Sequence, residues 1–503
     1  MQHPIANRMS VRFARALLAL CGLFTVCAGA LLASSVAAAA DTPESPTIDS
    51  TTLATLVQIR DAASNSNYAY QRLEELTDQI GPRLSGSPQQ AAAVSQVATA
   101  LRALGARVTL QPAKVPHWVR GEERAELTDY AGRPAGLTQR LHLTALGSSS
   151  ATPATGLETT VIVVRDFDEL HAKASEIRGH IVLFAEHFDQ RFAAMGHARD
   201  AYVLAGEYRF RGPAEAAKLG AAAALLRSVG GADYRLPHTG ITVWADKQAP
   251  IPAAALAAED ADLIARLALK GPVTMKLLLT PRTLPDADSF NVIADWPGRE
   301  RADEYVIVSG HLDSWDLGTG ATDDGVGVMA AAGVIQALQQ LNLHARRSVR
   351  FVAWASEETG GQGARAYFES VRDALSTQCA AIESDGGAGH ALGIAAAVTK
   401  DSLVALKSVV QILAPLGASI LESREGEVGS DIAALQESGV PGFAPLVDGR
   451  HYFDYHHTAA DTLDKVDPDN LKTQVATLAT LAYFLAERAD CLPRVPASAP
   501  ATR

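Results

Sequence analysis

The C-terminal part of the chain alternates between short apolar runs and longer runs with helical spacing. The apolar runs are residues 304–310, 348–356 and 379–384. The runs with apolar residues at helical spacing are residues 325–341, 363–371, 402–417 and 468–488. Strands that alternate with helices form largely parallel sheets with both faces covered. The pattern therefore predicts an α/β fold with a mostly parallel central sheet flanked by helices.

Two other patterns precede this region. Residues 55–81 and 87–105 have helical spacing, the turn-rich "GPRLSGSP" lies between them, and a strand is expected at residues 107–115. From about residue 135 to 280, short strands such as "TTVIVV" and "HIVLF" alternate with proline-containing loops. We expect an inserted β-rich domain at residues 136–279, a main domain formed by residues 41–135 and 280–492, and a disordered tail at residues 493–503.

Residues 1–40 have the pattern of a secretory signal peptide. Arg8, Arg12 and Arg15 precede the apolar run "ALLALCGLFTVCAGALLASSV" and the small residues "AAAAD". We expect cleavage after Ala40, a secreted or periplasmic protein, and no stable membrane insertion after cleavage. The alternative is an uncleaved membrane anchor, because the apolar run is about as long as a short membrane span.

The net charge limits which classes of partner are expected, and the cysteines bear on the redox compartment. The net charge of −12 becomes −15 when three arginines leave with the signal peptide. Such an acidic protein is a poor partner for nucleic acid or for an anionic membrane. Cys379 and Cys491 remain after cleavage. In an oxidising compartment they either form a disulfide or stay as two buried thiols.

Polar side chains are concentrated where the predicted strands end. The stretch "VIVSGHLDSWDLGTGATDDGVGVMAAAG" at residues 306–333 runs from an apolar strand into a histidine, a glycine-rich turn and several aspartates. Binding sites in open α/β sheets form outside the carboxyl ends of the strands. The side chains placed there, or on a loop that reaches there, are His311, Asp313, Asp323, Asp324, Glu357, Glu358, Asp385, His456 and His457.

This set of side chains indicates a metal site. Several carboxylates that converge on one crevice repel each other and are costly to desolvate unless a cation compensates them. Histidine with carboxylate oxygens suits zinc. One catalytic zinc needs three protein ligands and a water, so the set is large enough for two Zn²⁺ ions bridged by a shared carboxylate.

Four motifs resemble a known family. These are "GHLDSWDLGTGATDDGVG", "ASEETGG", "ESDGG" and "HHTAADTLDKVD". They resemble the co-catalytic zinc peptidases of the M28 type, which include bacterial zinc aminopeptidases and glutamate carboxypeptidases. Further segments, including "GPRLSGS", "PHTGI" and "DSFNVIADWPG", resemble its carboxypeptidase Q subfamily. The resemblance covers nearly the whole mature chain. It implies a zinc exopeptidase fold with an inserted protease-associated domain, and a homodimer.

The resemblance also implies a role for each site residue. One zinc is expected at His311, Asp323 and Asp385, and the other at Asp323, Glu358 and His457, with Asp323 as the bridge. Glu357 is expected to act as general base on a zinc-activated water and to pass the proton to the leaving amine. We expect the Asp313 carboxylate to accept the ring N–H of His311.

Two features of the site stay open from the sequence. Many relatives have a tyrosine just before the last histidine ligand, where its hydroxyl helps to polarise the substrate carbonyl. This chain has His456 there, so His456, Tyr455 or zinc alone is expected to do so. The choice of His457 over His456 as ligand rests on the alignment of "HTAADT" with the family pattern.

The expected substrate is a dipeptide or a short peptide, but the sequence does not show which end of it is recognised. A carboxypeptidase or dipeptidase needs a cation or a set of hydrogen-bond donors for the terminal carboxylate, and Arg450 is a candidate cation. An aminopeptidase needs an acid for the terminal ammonium, and Asp324, Glu383 and Asp431 are candidates. The alternative of another class is a catalytically inactive, receptor-like binding protein, although every ligand position is filled here.

Overall fold

The structure is a computed structural model that describes residues 49–496. The predicted signal peptide at residues 1–40 and the last seven residues of the predicted tail lie outside the described residues. Within the described part of the chain, no helix combines the length and the apolar character that a membrane crossing requires.

The strands form two eight-stranded sheets, and the second sheet is built entirely from the consecutive strands β2 to β9. The first sheet has the order β1-β10-β12-β11-β13-β16-β14-β15 and the second has the order β3-β2-β9-β5-β6-β7-β8-β4. The strands are β1 (Arg107–Val119), β2 (Glu123–Asp129), β3 (Gln139–Leu141), β4 (Leu143–Ala145), β5 (Leu157–Val164), β6 (Ile181–Phe184), β7 (Ala223–Arg227), β8 (Ala253–Leu256), β9 (Thr274–Leu279), β10 (Arg282–Trp296), β11 (Arg301–His311), β12 (Arg347–Trp354), β13 (Gln378–Glu383), β14 (Ala391–Ala397), β15 (Ile420–Ser423) and β16 (Gly442–Val447).

The centre of the first sheet is parallel. The strands β12, β11, β13 and β16 run in the same direction, whereas β1, β10 and β14 pair antiparallel with their neighbours towards the edges. Residues 306–308 of β11 are fully buried, as a strand covered on both faces should be. The prediction of an α/β fold with a mostly parallel central sheet is confirmed.

Helices cover the first sheet, and several of them begin at a side chain that caps the first turn. Ser87 accepts a hydrogen bond from the N–H of Gln90 at the start of α3, and Asp467 caps α13 in the same way. The helices of the chain are α1 (Ser50–Ser64), α2 (Tyr68–Glu75), α3 (Pro88–Ala103), α4 (Phe167–Ala172), α5 (Ala174–Ile177), α6 (Gln190–Phe192), α7 (Ala198–Lys218), α8 (Ala258–Ala268), α9 (Val326–Gln340), α10 (Gln362–Val371), α11 (Lys400–Leu413), α12 (Ala433–Glu437) and α13 (Pro468–Glu487).

The largest hydrophobic core lies between the first sheet and its helices. The helix α9 is buried on nearly every side, and its Gly333 leaves room for Val475 of α13, which a Cβ atom at residue 333 would approach to 2.7 Å. Such close packing fixes α9, and with it the turn that precedes α9 and carries Asp323.

The second sheet differs from the β-rich unit that the sequence predicts. Its central strands β5, β6, β7 and β8 are parallel, and helices of up to 21 residues accompany them. Apolar spacing does not predict α7 as a helix of 21 residues, because its start has no clear apolar stripe and Pro213 lies inside it. The strand β2 also belongs to this sheet although it precedes residue 136. The predicted domain boundaries stay a prediction.

The two remaining cysteines form a disulfide. Cys379 at the start of β13 pairs with Cys491, which follows α13, with their Cα atoms 5.2 Å apart. This pairing decides between the two alternatives left open by the sequence. Beyond it, the N–H of Val495 donates to the carbonyl of Gly439 at 2.9 Å, so the chain still contacts the fold at residue 495.

Candidate metal centre

Three neighbouring parallel strands deliver the candidate ligands to one edge of the first sheet. The strand β11 ends at His311, Glu357 and Glu358 follow β12, and Asp385 follows β13. Because these strands are parallel and adjacent, their carboxyl ends meet at the same edge.

The first group of ligand atoms comes from His311, Asp323 and Asp385. The Nε2 atom of His311 lies 3.2 Å from Oδ1 of Asp323 and 3.8 Å from Oδ1 of Asp385. Atoms at these separations are close enough to bind one ion together.

The second group comes from Asp323, Glu358 and His457. The Nε2 atom of His457 lies 3.1 Å from Oδ2 of Asp323 and 3.0 Å from Oε2 of Glu358. Asp323 therefore takes part in both groups and offers a different oxygen to each. The peptide bond between Asp323 and Asp324 is cis.

The chemistry of these side chains fits a cation. Burial raises the pKa of Glu358, and the charge of Asp323 raises it further. The Oε1 atom of Glu358 is buried and has no hydrogen-bond partner among the described residues. A buried carboxylate oxygen without a partner is costly, and a bound metal ion removes that cost.

The turn that carries Asp323 is held by two charged side chains. The buried guanidinium of Arg83 donates to the carbonyls of Leu312, Thr319 and Gly320 at 2.6 to 2.9 Å. The carboxylate of Asp461 accepts the N–H groups of Thr322 (2.6 Å) and Asp323 (3.2 Å). These bonds fix the main chain that leads into the shared carboxylate.

Glycine is required at two positions of this turn. Gly320 has a φ of 62°, and a Cβ atom there would lie 2.3 Å from the Ser314 side chain. A Cβ atom at Gly327 would lie 1.8 Å from the carbonyl oxygen of Ser384. These glycines let the turn and the start of α9 approach the strand ends.

The role expected for Asp313 needs a correction. The Nδ1 atom of His311 lies 2.9 Å from the main-chain oxygen of Asp313 but 3.8 Å from its carboxylate, which is beyond hydrogen-bond distance. The carboxylate instead accepts the N–H of Glu357 at 3.0 Å and the hydroxyl of Ser85 at 2.8 Å. Asp313 therefore holds the main chain at Glu357, and its carbonyl orients His311.

Glu357 and Glu358 have different surroundings although they are neighbours in the chain. The ring N–H of Trp315 donates to Oε2 of Glu358 at 2.6 Å, which holds that side chain beside His457. Glu357 is only partly buried in the structure. Its desolvation raises its pKa above the usual value, while the charge of His311 lowers it.

His456, Tyr455 and Arg450, which were considered for substrate binding, have different surroundings in the structure. His456 is buried, its Nε2 atom lies 3.4 Å from Oδ2 of Asp323, and its ring stacks on His457 with 3.6 Å between the centroids. Tyr455 is half-buried, with the ammonium of Lys465 5.6 Å from its ring centre.

Arg450 does not fit the role of a carboxylate receptor. Its side chain is 55% exposed and is paired with the nearby Asp448, whose Oδ1 atom accepts from Nε at 2.8 Å. The closeness of Arg450 to His457 in sequence therefore does not translate into a place in the site.

Sequence reasoning also missed residues that contact the candidate ligands, the turn that carries Asp323, or the neighbouring His456. Arg83 lies in "GPRLSGS" and Asp461 in "HTAADT", and both motifs were recognised without a role for these side chains. His238 and Thr239, in "PHTGI", and Arg209 of α7 come from the second sheet and reach His456 and His457. No local pattern in the sequence connects them with the strand ends.

The metal-free protein is expected to lose stability as the pH rises from about 4 to 6. Burial is the main cause that raises the pKa of Asp385 and of Asp461 from 3.8 to about 6. In this range the unfolded chain releases protons that the folded chain keeps, so deprotonation favours unfolding. Zinc should reverse the trend, because its ligands must be deprotonated. Calorimetry of the metal-free and zinc-loaded protein between pH 4 and 7 measures both trends, and a metal-free protein that gains stability over this range would contradict them.

The comparison with known proteins identifies the family. A model of peptidase family M28 matches residues 291–482. Human Carboxypeptidase Q is 37% identical over 433 residues, which cover 85% of this chain and 87% of that protein. The chain belongs to peptidase family M28. Membership in family M28 confirms the predicted family and the prediction of an enzyme of the zinc exopeptidase class.

Solved structures of other M28 peptidases and of aminopeptidases share the fold. The M28 peptidase precursor from Shewanella amazonensis superposes with a TM-score of 0.83 at 34% identity and covers 89% of this chain and 99% of its own. The zinc aminopeptidase of Bacillus subtilis superposes with a TM-score of 0.60 at 18% identity, covering 86% and 98%. The second likeness shows that the fold is common to M28 peptidases and aminopeptidases.

Proposed function

We propose that this M28 peptidase is a secreted exopeptidase that binds two Zn²⁺ ions and hydrolyses dipeptides or short peptides. The observation that carries the proposal is the position of Asp323. Its Oδ1 atom faces His311, and its Oδ2 atom faces His457. A carboxylate that offers one oxygen to each of two ligand groups is the arrangement that a bridged metal pair requires.

The residues of the chain have distinct tasks in this proposal. His311, Asp323 and Asp385 hold one ion, and Asp323, Glu358 and His457 hold the other. Bound zinc polarises the scissile carbonyl and lowers the pKa of a coordinated water. Glu357 accepts the proton of the attacking water and delivers it to the leaving amine. Its main chain is fixed for this task by the Asp313 carboxylate at 3.0 Å.

Recognition of the carboxyl end, as in a carboxypeptidase or dipeptidase, is our first choice. It is supported by the 37% identity with human Carboxypeptidase Q over most of both chains. The aminopeptidases among the solved structures resemble this chain much less, at about 20% identity or below. The identity supports a shared substrate class. The cation that would bind the substrate carboxylate is not Arg450, since Arg450 is paired with Asp448 at the surface.

Recognition of the amino end is the second candidate, and one observation favours it. Of the three surplus acids, Asp324 accepts the N–H groups of His311 and Gly327, and Glu383 accepts those of Asp431 and Ile432. Asp431 is buried, and neither of its carboxylate oxygens has a hydrogen-bond partner among the described residues. A substrate ammonium would give this carboxylate a partner.

One assay separates the two candidates. The zinc-loaded mature protein is given the same dipeptide in free, N-acylated and C-amidated form. We expect cleavage of the free and N-acylated forms and no cleavage of the amidated form, which identifies a carboxypeptidase. Cleavage of the free and amidated forms alone, weakened in an Asp431→Asn variant, identifies an aminopeptidase. Cleavage of the free form alone identifies a dipeptidase. If zinc binds but no form is cleaved, the proposed activity is wrong.

A secreted or periplasmic location agrees with two features. Residues 1–40 have the signal-peptide pattern, and the Cys379–Cys491 disulfide belongs to an oxidising compartment. N-terminal sequencing of the mature protein checks cleavage after Ala40. The homodimer implied by the family resemblance is checked by sedimentation.

A further inference from the structure

A segment of the second sheet contacts both histidines that follow Tyr455. This segment is the turn at His238 and Thr239, which lies between β7 and β8. The side chain of His238 is completely buried, and its N–H donates to the hydroxyl of Ser228 at 2.9 Å. This buried part of the β7–β8 loop is therefore anchored to the end of the second sheet.

The main chain of Thr239 holds His457 at two points. Its N–H donates to the carbonyl of His457 at 2.9 Å, and its own carbonyl lies 3.3 Å from Nδ1 of the His457 ring. Histidines that bind metals usually donate the ring N–H that faces away from the metal to a carbonyl or carboxylate, which fixes the tautomer and the orientation of the ring. The Thr239 carbonyl takes this place and leaves Nε2 of His457 directed at Asp323 and Glu358.

Arg209 of α7 holds the Thr239 carbonyl in position. Its Nη1 atom donates to that carbonyl at 3.3 Å and lies beside the His457 ring, 3.1 Å from Nδ1. Because a guanidinium only donates, the Thr239 carbonyl is the acceptor that both N–H groups share. The side chain is only 2% exposed, donates to the hydroxyl of Tyr202, and lies 4.5 Å from the ring centre of Phe210. A guanidinium restrained on several sides in this way cannot change its geometry without cost.

His238 contacts His456, as Thr239 contacts His457. Its Nε2 atom lies 3.1 Å from Nδ1 of His456, and Nε2 of His456 lies 3.4 Å from Oδ2 of Asp323. The two imidazoles therefore link the second sheet to the carboxylate that both ligand groups share. His456 also stacks on His457, so a shift of His238 affects both histidines.

We infer that Arg209 of α7 and His238 and Thr239 of the β7–β8 loop are positioning residues of the metal centre, acting through His456 and His457. This inference rests on the proposed function. The ligands proposed for the two ions follow strands of the first sheet or lie in segments beside it, but the orientation of His457 depends on a helix and a loop that accompany the second sheet. The affinity for zinc should therefore fall when these contacts are lost, even though no ligand is changed.

Two substitutions with matched controls test the inference. His238→Phe keeps the ring volume but removes the hydrogen bond to His456, whereas His238→Gln keeps an N–H near the position of Nε2. Arg209→Lys keeps the positive charge and loses the planar fork. The exposed His171 of α4 provides His171→Phe as control. The zinc dissociation constant is measured by chelator competition, and the unfolding temperature of each metal-free variant is recorded.

We expect His238→Phe and Arg209→Lys to bind zinc about 10-fold to 100-fold more weakly, which is the usual effect of losing an outer partner of a metal ligand. His238→Gln should stay close to the wild type, and so should His171→Phe. Unchanged zinc affinity in both His238→Phe and Arg209→Lys would overturn the inference. Equal losses in His238→Phe and His238→Gln would also overturn it for His238. If the wild-type protein itself does not bind zinc, the proposed function fails instead.

Discussion

Glu357→Gln is expected to reduce kcat by about two to four orders of magnitude while both zinc ions stay bound. The amide keeps the size of the side chain but cannot accept a proton, and positioned general bases contribute about 10²-fold to 10⁴-fold. The main chain at residue 357 should not move, because the Asp313 carboxylate binds its N–H and not its side chain. Steady-state kinetics together with the zinc content of the purified variant measure both effects.

The control for this prediction is Glu369→Gln, a similar change at an exposed glutamate of α10. It should leave kcat and zinc content at wild-type values. A Glu357→Gln variant that holds both ions and keeps full activity would show that another group accepts the proton. Loss of zinc from Glu357→Gln would instead mean that Glu357 is a ligand.

Asp323→Ala is expected to remove both zinc ions and all measurable activity. Its two oxygens lie 3.2 Å and 3.1 Å from the nearest nitrogens of His311 and His457, so a single truncation opens both ligand groups. The substitution also removes one negative charge from the buried site, which lowers the electrostatic attraction of the remaining ligands for an ion. The zinc content is measured after dialysis against a weak chelator.

Asp385→Ala is the matched comparison for the shared carboxylate, since Asp385 belongs to the first ligand group alone. It should lose one ion and retain the other, which His457 and Glu358 still hold. One tightly held ion in Asp323→Ala would contradict the bridging role. Asp288→Ala, at an exposed side chain of β10, controls for the removal of a carboxylate as such.

The sequence alone was sufficient to predict which side chains are candidate ligands. His311, Glu357, Glu358 and Asp385 each follow directly on an apolar strand, and neighbouring parallel strands bring their carboxyl ends together. Strand type and strand end are local properties that can be read from the apolar pattern. The family motifs then added the roles, which the apolar pattern does not contain.

The hydrogen-bond partners of the candidate ligands depend on the path of the main chain, which a local sequence pattern does not predict. The sequence predicted the Asp313 carboxylate as partner of His311, but the path of the main chain places the Asp313 carbonyl there instead. Likewise, Arg450 is seven residues from His457 in the chain and yet lies at the surface, where Asp448 neutralises it.

The sequence by itself determined the α/β fold, the strand ends that carry the candidate ligands, and the kind of chemistry that these side chains support. Only the tertiary structure decided what surrounds them. Arg209 and His238 are separated from His457 and His456 by 248 and 218 residues. Contacts over such distances depend on how two sheets pack against each other, and no periodicity within either segment records that packing.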